Sequence, residues 1–222
     1  MAIEKSEIQL NVNGKSVNAY LASPADGDRP GILVLHAWWG LKSFFKQVCD
    51  QLAEHGFIAL APDYYGGRLA NTIDEAQALL GQRDTELTSD TLKAAISYLA
   101  TLSGSKTMGV IGFSMGAAWS LIVATHEPEV AAVVLFYGLN EVDLNQWHAK
   151  VLGHFSDNDE WEPLEGARQL EQAMKAAGVD VTLHIYPQVA HWFMEADRPE
   201  YDSAAAALAW DRTFKFLHET LG

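Results

Sequence analysis

The sequence predicts an α/β fold: a mostly parallel sheet with antiparallel strands at its N-terminal end, helices on both faces and no cap domain. Three observations predict it. Short unbroken apolar runs, as expected of strands buried on both faces, recur from residue 31 onward. They alternate with stretches of helical spacing, the order of a βα-repeating chain. A hairpin pattern precedes them, and no insertion is long enough to form a separate cap.

The first element is Ile8-Gln-Leu-Asn-Val12, which alternates apolar and polar residues. It turns at Asn13-Gly14, a strong two-residue hairpin signal, into a partner strand over Val17–Leu21. An exposed turn, Ser23-Pro-Ala-Asp-Gly-Asp-Arg-Pro30, follows. Gly31–His36 and Phe57–Ala61 are buried strands, separated by a helix over Phe44–His55 that stops at Gly56. Residues Tyr64 to Thr72 read as a loop. Helices are predicted over Ile73–Leu80 and Thr88–Leu102, then a strand over Met108–Gly112 and a helix over Ala117–Thr125. Val130–Tyr137 and Val151–Phe155 are further strands, Leu164–Ala177 a helix closed by Gly178, and Val179–Tyr186 the last strand. The chain ends in a helix over Tyr201–Leu221 with Leu208, Phe214, Leu217 and Leu221 on its apolar side.

The 222 residues are 49% hydrophobic, enough to bury one sizeable core, and a single domain over residues 1–222 is expected. Asp and Glu number 29 against 15 Lys plus Arg, a formal net charge of −14. Nucleic acid is therefore excluded as a partner class, because phosphate binding needs a basic footprint. The same field slows the approach of anionic substrates. One cysteine, Cys49, allows no internal disulfide, and its neighbours Phe45, Val48 and Leu52 mark an inert buried thiol. No Cys/His cluster has zinc spacing, so neither metal nor cofactor is expected. The N-terminus lacks the basic start and apolar run of a signal peptide, and no apolar stretch approaches the ~20 residues that span a bilayer. A cytoplasmic monomer or small homo-oligomer with no membrane partner is the expectation.

Gly112-Phe-Ser114-Met-Gly116 matches G-x-S-x-G. The pattern recurs by chance, so its context carries the argument: an apolar strand ends at Gly112 and a helical stretch begins beyond Gly116. A serine on a sharp strand-to-helix turn projects its hydroxyl from the top edge of the sheet, and the glycines let the backbone crowd there. The following helix offers its N-terminal N–H groups to a developing oxyanion.

A hydroxyl needs a base, and histidine titrates in the useful range. Of eight histidines, six follow Ser114. His126 and His218 belong to helices, His148 precedes a strand, and His154 and His184 lie inside strands. His191 alone sits in a loop just after a strand, at the sheet edge where the serine turn also opens. The orienting acid is sought after the strand ending at Phe155, where Asp157, Asp159 and Glu160 stand together. Spacing alone does not choose among the three.

These residues resemble the dienelactone hydrolase family over nearly the whole chain. The resemblance is carried by His36-Ala-Trp-Trp-Gly-Leu41, Ala61-Pro-Asp-Tyr-Tyr-Gly66, Gly112-Phe-Ser-Met-Gly-Ala117, Asp159 with Pro163, and Ala190-His191-Trp-Phe193. It implies an α/β-hydrolase fold and hydrolysis of a small carboxylic ester or lactone without a cofactor. It implies Ser114, Asp159 and His191 as catalytic residues, with Asp157 the reserve acid. It implies an oxyanion hole from the backbone N–H groups of Met115 and Trp38. The side chains of Trp38, Trp192 and Phe193 are expected to line an apolar substrate cleft, whereas Trp39 reads as core. The sequence departs from the family's best-known members in three places: Ser114 stands for cysteine, Ala37 for a glutamate and Glu195 for a substrate-binding arginine. Ser114 and Ala37 are mutually consistent, since a hydroxyl needs no partner to manage a thiolate. Glu195 and the acidic balance favour a neutral ester, thioester or lactone, and Arg68 and Arg83 are the remaining candidates for a positive group near the cleft. Two other classes compete: a carboxylesterase or acyl thioesterase of the lysophospholipase-like type, and a non-catalytic binding protein on a hydrolase scaffold.

Overall fold

The N-terminal hairpin follows from its turn chemistry. Strands β1 (Ile3–Val12) and β2 (Lys15–Pro24) pair antiparallel with Val12 opposite Lys15. That register leaves only Asn13 and Gly14 in the turn, both at positive φ (51° and 81°), as a type I′ turn requires. Both strands run longer than their alternating cores predict. The extra length of β1 is mostly exposed and charged (Glu4, Lys5, Glu7), which suits an outer strand.

This is a computed structural model that describes residues 2–26, 28–145 and 147–222. Within the turn expected over Ser23–Pro30, Gly27 lies outside the described residues. The chain divides into two compact units, Met1–Met108 and Gly109–Gly222. In the first unit the strand order is β1-β2-β4-β3, where β3 is Gly31–Leu35 and β4 is Ile58–Pro62. Strands β3 and β4 are parallel and wholly buried, which explains why they read as unbroken apolar runs. Helix α1 (Ser43–Glu54) covers them with Phe44, Phe45, Val48, Cys49, Leu52 and Ala53. Cys49 is a core thiol, as expected. Helix α2 (Ile73–Gly81) opens on a capping box between Thr72 and Glu75. Helix α3 spans Thr85–Leu102. It starts three residues earlier than periodicity predicts, because the Asp84 side chain accepts from the Leu87 N–H and caps an extra turn. Helix α3 approaches β3 so closely that a Cβ on Gly31 would lie 2.7 Å from the Leu99 side chain.

In the second unit the order is β5-β6-β7-β8, from β5 (Met108–Phe113), β6 (Val130–Phe136), β7 (Lys150–Ser156) and β8 (Val181–Tyr186). β6, β7 and β8 are parallel, so their carboxyl ends lie along one rim. Helices α4 (Met115–His126), α5 (Leu164–Ala176) and α6 (Ser203–Leu221) pack on these strands. The face of α6 agrees with expectation at Leu217 but not at Leu208. Ala205, Ala206, Ala209, Thr213 and Leu217 are buried, while Leu208 is 45% exposed. Small residues along an i, i+4 line let the helix sit close to the strands, and Thr213 earns its burial by bonding His154 Nε2 (3.0 Å). Among the described residues, no helix is long and apolar enough to cross a membrane.

Candidate active site

Ser114 sits where β5 gives way to α4. Its φ of 51° and ψ of −114° put it in the left-handed half of conformational space, as a sharp strand-to-helix turn demands. The turn is held on both sides. Ser114 N–H donates to the Phe136 carbonyl at the end of β6 (2.9 Å), and the Ser114 carbonyl accepts from Ala117 and Ala118 (2.9 and 3.2 Å). The approach is tight enough to exclude side chains: a Cβ on Gly112 would lie 2.2 Å from the Gly116 carbonyl oxygen. Helix α4 begins at Met115, two residues earlier than its apolar spacing shows.

The loop after β8 carries His191, 4% exposed, to the same rim. His191 Nε2 lies 2.9 Å from Ser114 Oγ, and Nδ1 lies 2.6 Å from Asp159 Oδ2. A carboxylate facing Nδ1 demands a proton there, which leaves Nε2 as an acceptor toward the hydroxyl. Asp159 is itself fixed, because its Oδ1 accepts from the N–H groups of Trp161 and Glu162 (both 2.8 Å). Asp157 has a different partner. Its Oδ1 accepts from the Gln188 N–H (2.8 Å), tying the acid loop to the histidine loop. Ser156 makes a second tie, donating to the Val189 carbonyl. Glu160 is exposed.

The remaining expected positions divide. Trp192 is 3% exposed and stands edge-on to His191, with ring centroids 5.1 Å apart. Phe193 does not line a solvent-open cleft: it is fully buried, packed against Tyr137 (5.5 Å) and Tyr186 (5.0 Å). In the first unit, Trp38 (8% exposed) and Trp39 (0%) meet edge to face at 5.3 Å in the loop after β3. Arg68, also in that unit, donates to the Tyr65 carbonyl and to Gln82 Oε1 (both 3.0 Å). Glu195 is not a surface charge facing substrate. It is 1% exposed and accepts from the Tyr137 hydroxyl (3.1 Å).

Three residues beside Ser114, His191 and Asp159 were not singled out by sequence reasoning. Tyr137, fully buried, lays its ring 4.9 Å from that of His191. Burial, and then the Glu195 carboxylate, push its hydroxyl well above the usual tyrosine range. Glu162 also has its carboxyl raised, first by burial and then by Asp159. Trp161, 38% exposed, lies tilted against Trp192 with ring centroids 5.5 Å apart and places an accessible aromatic near the histidine. The available signal for Tyr137 was its place at the end of a buried strand, directly before a glycine.

Similarity to known proteins agrees with this architecture. The model of the dienelactone hydrolase family matches residues 17–221. Protein usf of Aquifex pyrophilus is 31% identical over 96% of this chain and 98% of its own length. A provisionally named carboxymethylenebutenolidase of Aquifex aeolicus is 30% identical, over 95% of this chain and 96% of its own. Among solved structures, the dienelactone hydrolase-like promiscuous phosphotriesterase P91 from metagenomic libraries superposes with a TM-score of 0.89 at 22% identity, each chain covered in full. That likeness shows the α/β-hydrolase fold, a mostly parallel sheet with an antiparallel start. The chain therefore belongs to the dienelactone hydrolase family, and with it to the carboxylic ester hydrolases.

Proposed function

We propose that this protein hydrolyses a small neutral carboxylic ester, thioester or lactone through an acyl-enzyme on Ser114. The observation that carries the reading is the unbroken hydrogen-bond chain from Ser114 Oγ through His191 to Asp159. Ser114 Oγ attacks the carbonyl carbon as its proton passes to His191 Nε2. Asp159 holds the Nδ1 proton and offsets the charge of the imidazolium. Collapse of the tetrahedral intermediate breaks the bond to the leaving oxygen or sulfur, which takes the proton back from Nε2. Water then repeats both steps on the acyl-enzyme. The N–H of Met115, at the start of α4, receives the oxyanion and contributes ~10²-fold or more.

The substrate class follows from charge. A net charge of −14 disfavours an anionic ester. The accessible Trp161, packed against the buried Trp192 beside His191, offers an aromatic surface to an apolar acyl or alcohol group. Hydrolysis of p-nitrophenyl acetate and butyrate tests the assignment. The wild-type protein is expected to turn over and to be labelled at Ser114 by a fluorophosphonate, and Ser114→Ala to do neither. A Ser114→Ala protein with wild-type turnover would overturn it. The protein is further read as a cytoplasmic monomer or small homo-oligomer without cofactor.

A further inference from the structure

We infer that Tyr137 is a positioning residue for His191: its hydroxyl, anchored on the buried Glu195 carboxylate, holds the imidazole at hydrogen-bonding distance from Ser114. The inference rests on the catalytic reading of Ser114 and His191 given above. Its basis is that three consecutive residues at the end of β6 touch both partners. Phe136 accepts from the Ser114 N–H (2.9 Å). Gly138 lies so close to the serine turn that a Cβ there would be 2.1 Å from the Ser114 carbonyl oxygen. Between them, Tyr137 reaches the histidine turn, with its ring 4.9 Å from His191 and its hydroxyl 3.1 Å from Glu195 Oε1.

Glu195 rides on the same turn as the imidazole, since its N–H donates to the Trp192 carbonyl (3.0 Å). The phenol therefore grips that turn at two points, on the ring of residue 191 and on the carboxylate of residue 195. Tyr137 is itself held firmly. It takes a left-handed backbone (φ 41°), and its N–H donates to the His154 carbonyl (2.9 Å). Both side chains of the Tyr137–Glu195 pair are buried, 0% and 1% exposed. A carboxylate accepting from a hydroxyl in such a dry setting makes a strong, directional bond. The ring lies against the flank of the imidazole and the hydroxyl points to Glu195, so the residue acts through His191 and not on the reacting atoms.

The test is Tyr137→Phe, which keeps the ring and removes the anchor. With p-nitrophenyl butyrate, kcat is expected to fall about tenfold while KM stays within about twofold. Tyr137→Leu removes the ring as well and is expected to lose about 10²-fold in kcat. Combining Tyr137→Phe with Glu195→Gln is expected to cost little more than the worse single change, because both break one contact. A folded Tyr137→Phe protein with wild-type kcat, or one whose loss lies in KM alone, overturns the inference. Should Glu195→Gln fail to fold, the Tyr137→Phe split between kcat and KM decides alone. Ser114→Ala assayed alongside separates the two ideas. Turnover surviving in Ser114→Ala refutes the catalytic reading itself, whereas an inactive Ser114→Ala beside a wild-type Tyr137→Phe refutes only the role of Tyr137.

Discussion

Replacing Asp159 by asparagine keeps its shape and reverses the chemistry of His191. The Asp159 Oδ1 accepts from two backbone N–H groups at 2.8 Å, and its Oδ2 faces His191 Nδ1 at 2.6 Å. An asparagine must keep its carbonyl oxygen on the two N–H donors, since turning the amide would set N–H against N–H. Its NH₂ then points at Nδ1, which must give up its proton to accept. The proton moves to Nε2, and Nε2 becomes a donor toward Ser114 Oγ (2.9 Å) instead of the base that takes its proton. The imidazolium also loses its counter-charge. Together these place the loss in kcat near 10⁴-fold, the size seen when a triad carboxylate is made an amide elsewhere. Asp157→Asn is the matched control. An amide oxygen there still accepts from the Gln188 N–H, so its kcat is expected to stay within about threefold of wild type. The assay is steady-state hydrolysis of p-nitrophenyl butyrate, with circular dichroism to verify folding. A loss of several orders in Asp157→Asn, with Asp159→Asn near wild type, refutes the reasoning.

Other consequences are equally open to measurement. Gly138→Ala forces a methyl within 2.1 Å of the Ser114 carbonyl oxygen, so kcat should fall by about 10²-fold or more and the melting temperature with it. Burial lowers His36 to about 4, and lowers His154 well below its usual value, so both stay neutral in the fold while the unfolded chain protonates near 6.5. Stability is therefore full above pH 6.5 and is lost as pH falls below it, by about 3 kcal/mol from His36 once its folded value is reached. Denaturant titrations at about pH 7 and about pH 5.5 read this slope, which His154→Gln should flatten. The Cys49 thiol, fully buried and raised by that burial, should react with a thiol reagent only after denaturation.

How far the sequence discloses this molecule depends on the range of the interaction. Strands β3, β4 and β6 were legible because burial on both faces writes an unbroken apolar run. The hairpin was legible because Asn13-Gly14 is a two-residue rule. The early start of α3 was missed because a cap depends on one side chain, Asp84, and not on periodicity. The face of α6 was read correctly at Leu217 and wrongly at Leu208, because the leucines were weighed and the alanines were not, although close helix packing prefers small residues. At the site, Ser114 and His191 could be picked out by their places at strand ends. The choice among Asp157, Asp159 and Glu160 needed the family resemblance, because it turns on how one loop satisfies its own N–H groups. The partnership of Tyr137 with Glu195 spans 58 residues and leaves no local trace.

Backbone conformation gives one more way to locate the machinery. Among the described residues, four other than glycine have positive φ: Asn13, Ser114, Tyr137 and Gln188. Asn13 sits in a turn that asks for it. The other three all follow strands of the second unit, after β5, β6 and β8, and each is held by a bond from its N–H. Ser114 donates to the Phe136 carbonyl, Tyr137 to the His154 carbonyl and Gln188 to Asp157 Oδ1. Such conformations cost about 1–3 kcal/mol each and persist where the surroundings over-determine them. Here the determinants are bonds to neighbouring strand ends or the loops after them, so the cost maintains the relative placement of residues 114, 159 and 191. Gln188 offers a clean trial, because its side chain is exposed and contributes little packing. Gln188→Gly relaxes the backbone and should hold or raise the melting temperature. Gln188→Val sets a β-branched residue in the left-handed region, at a cost of about 1–2 kcal/mol, or about 3–6 °C for a chain of this size. It should also lower kcat, since His191 lies three residues further along the same loop. Equal melting temperatures for the glycine and valine variants would show that residue 188 bears no such strain.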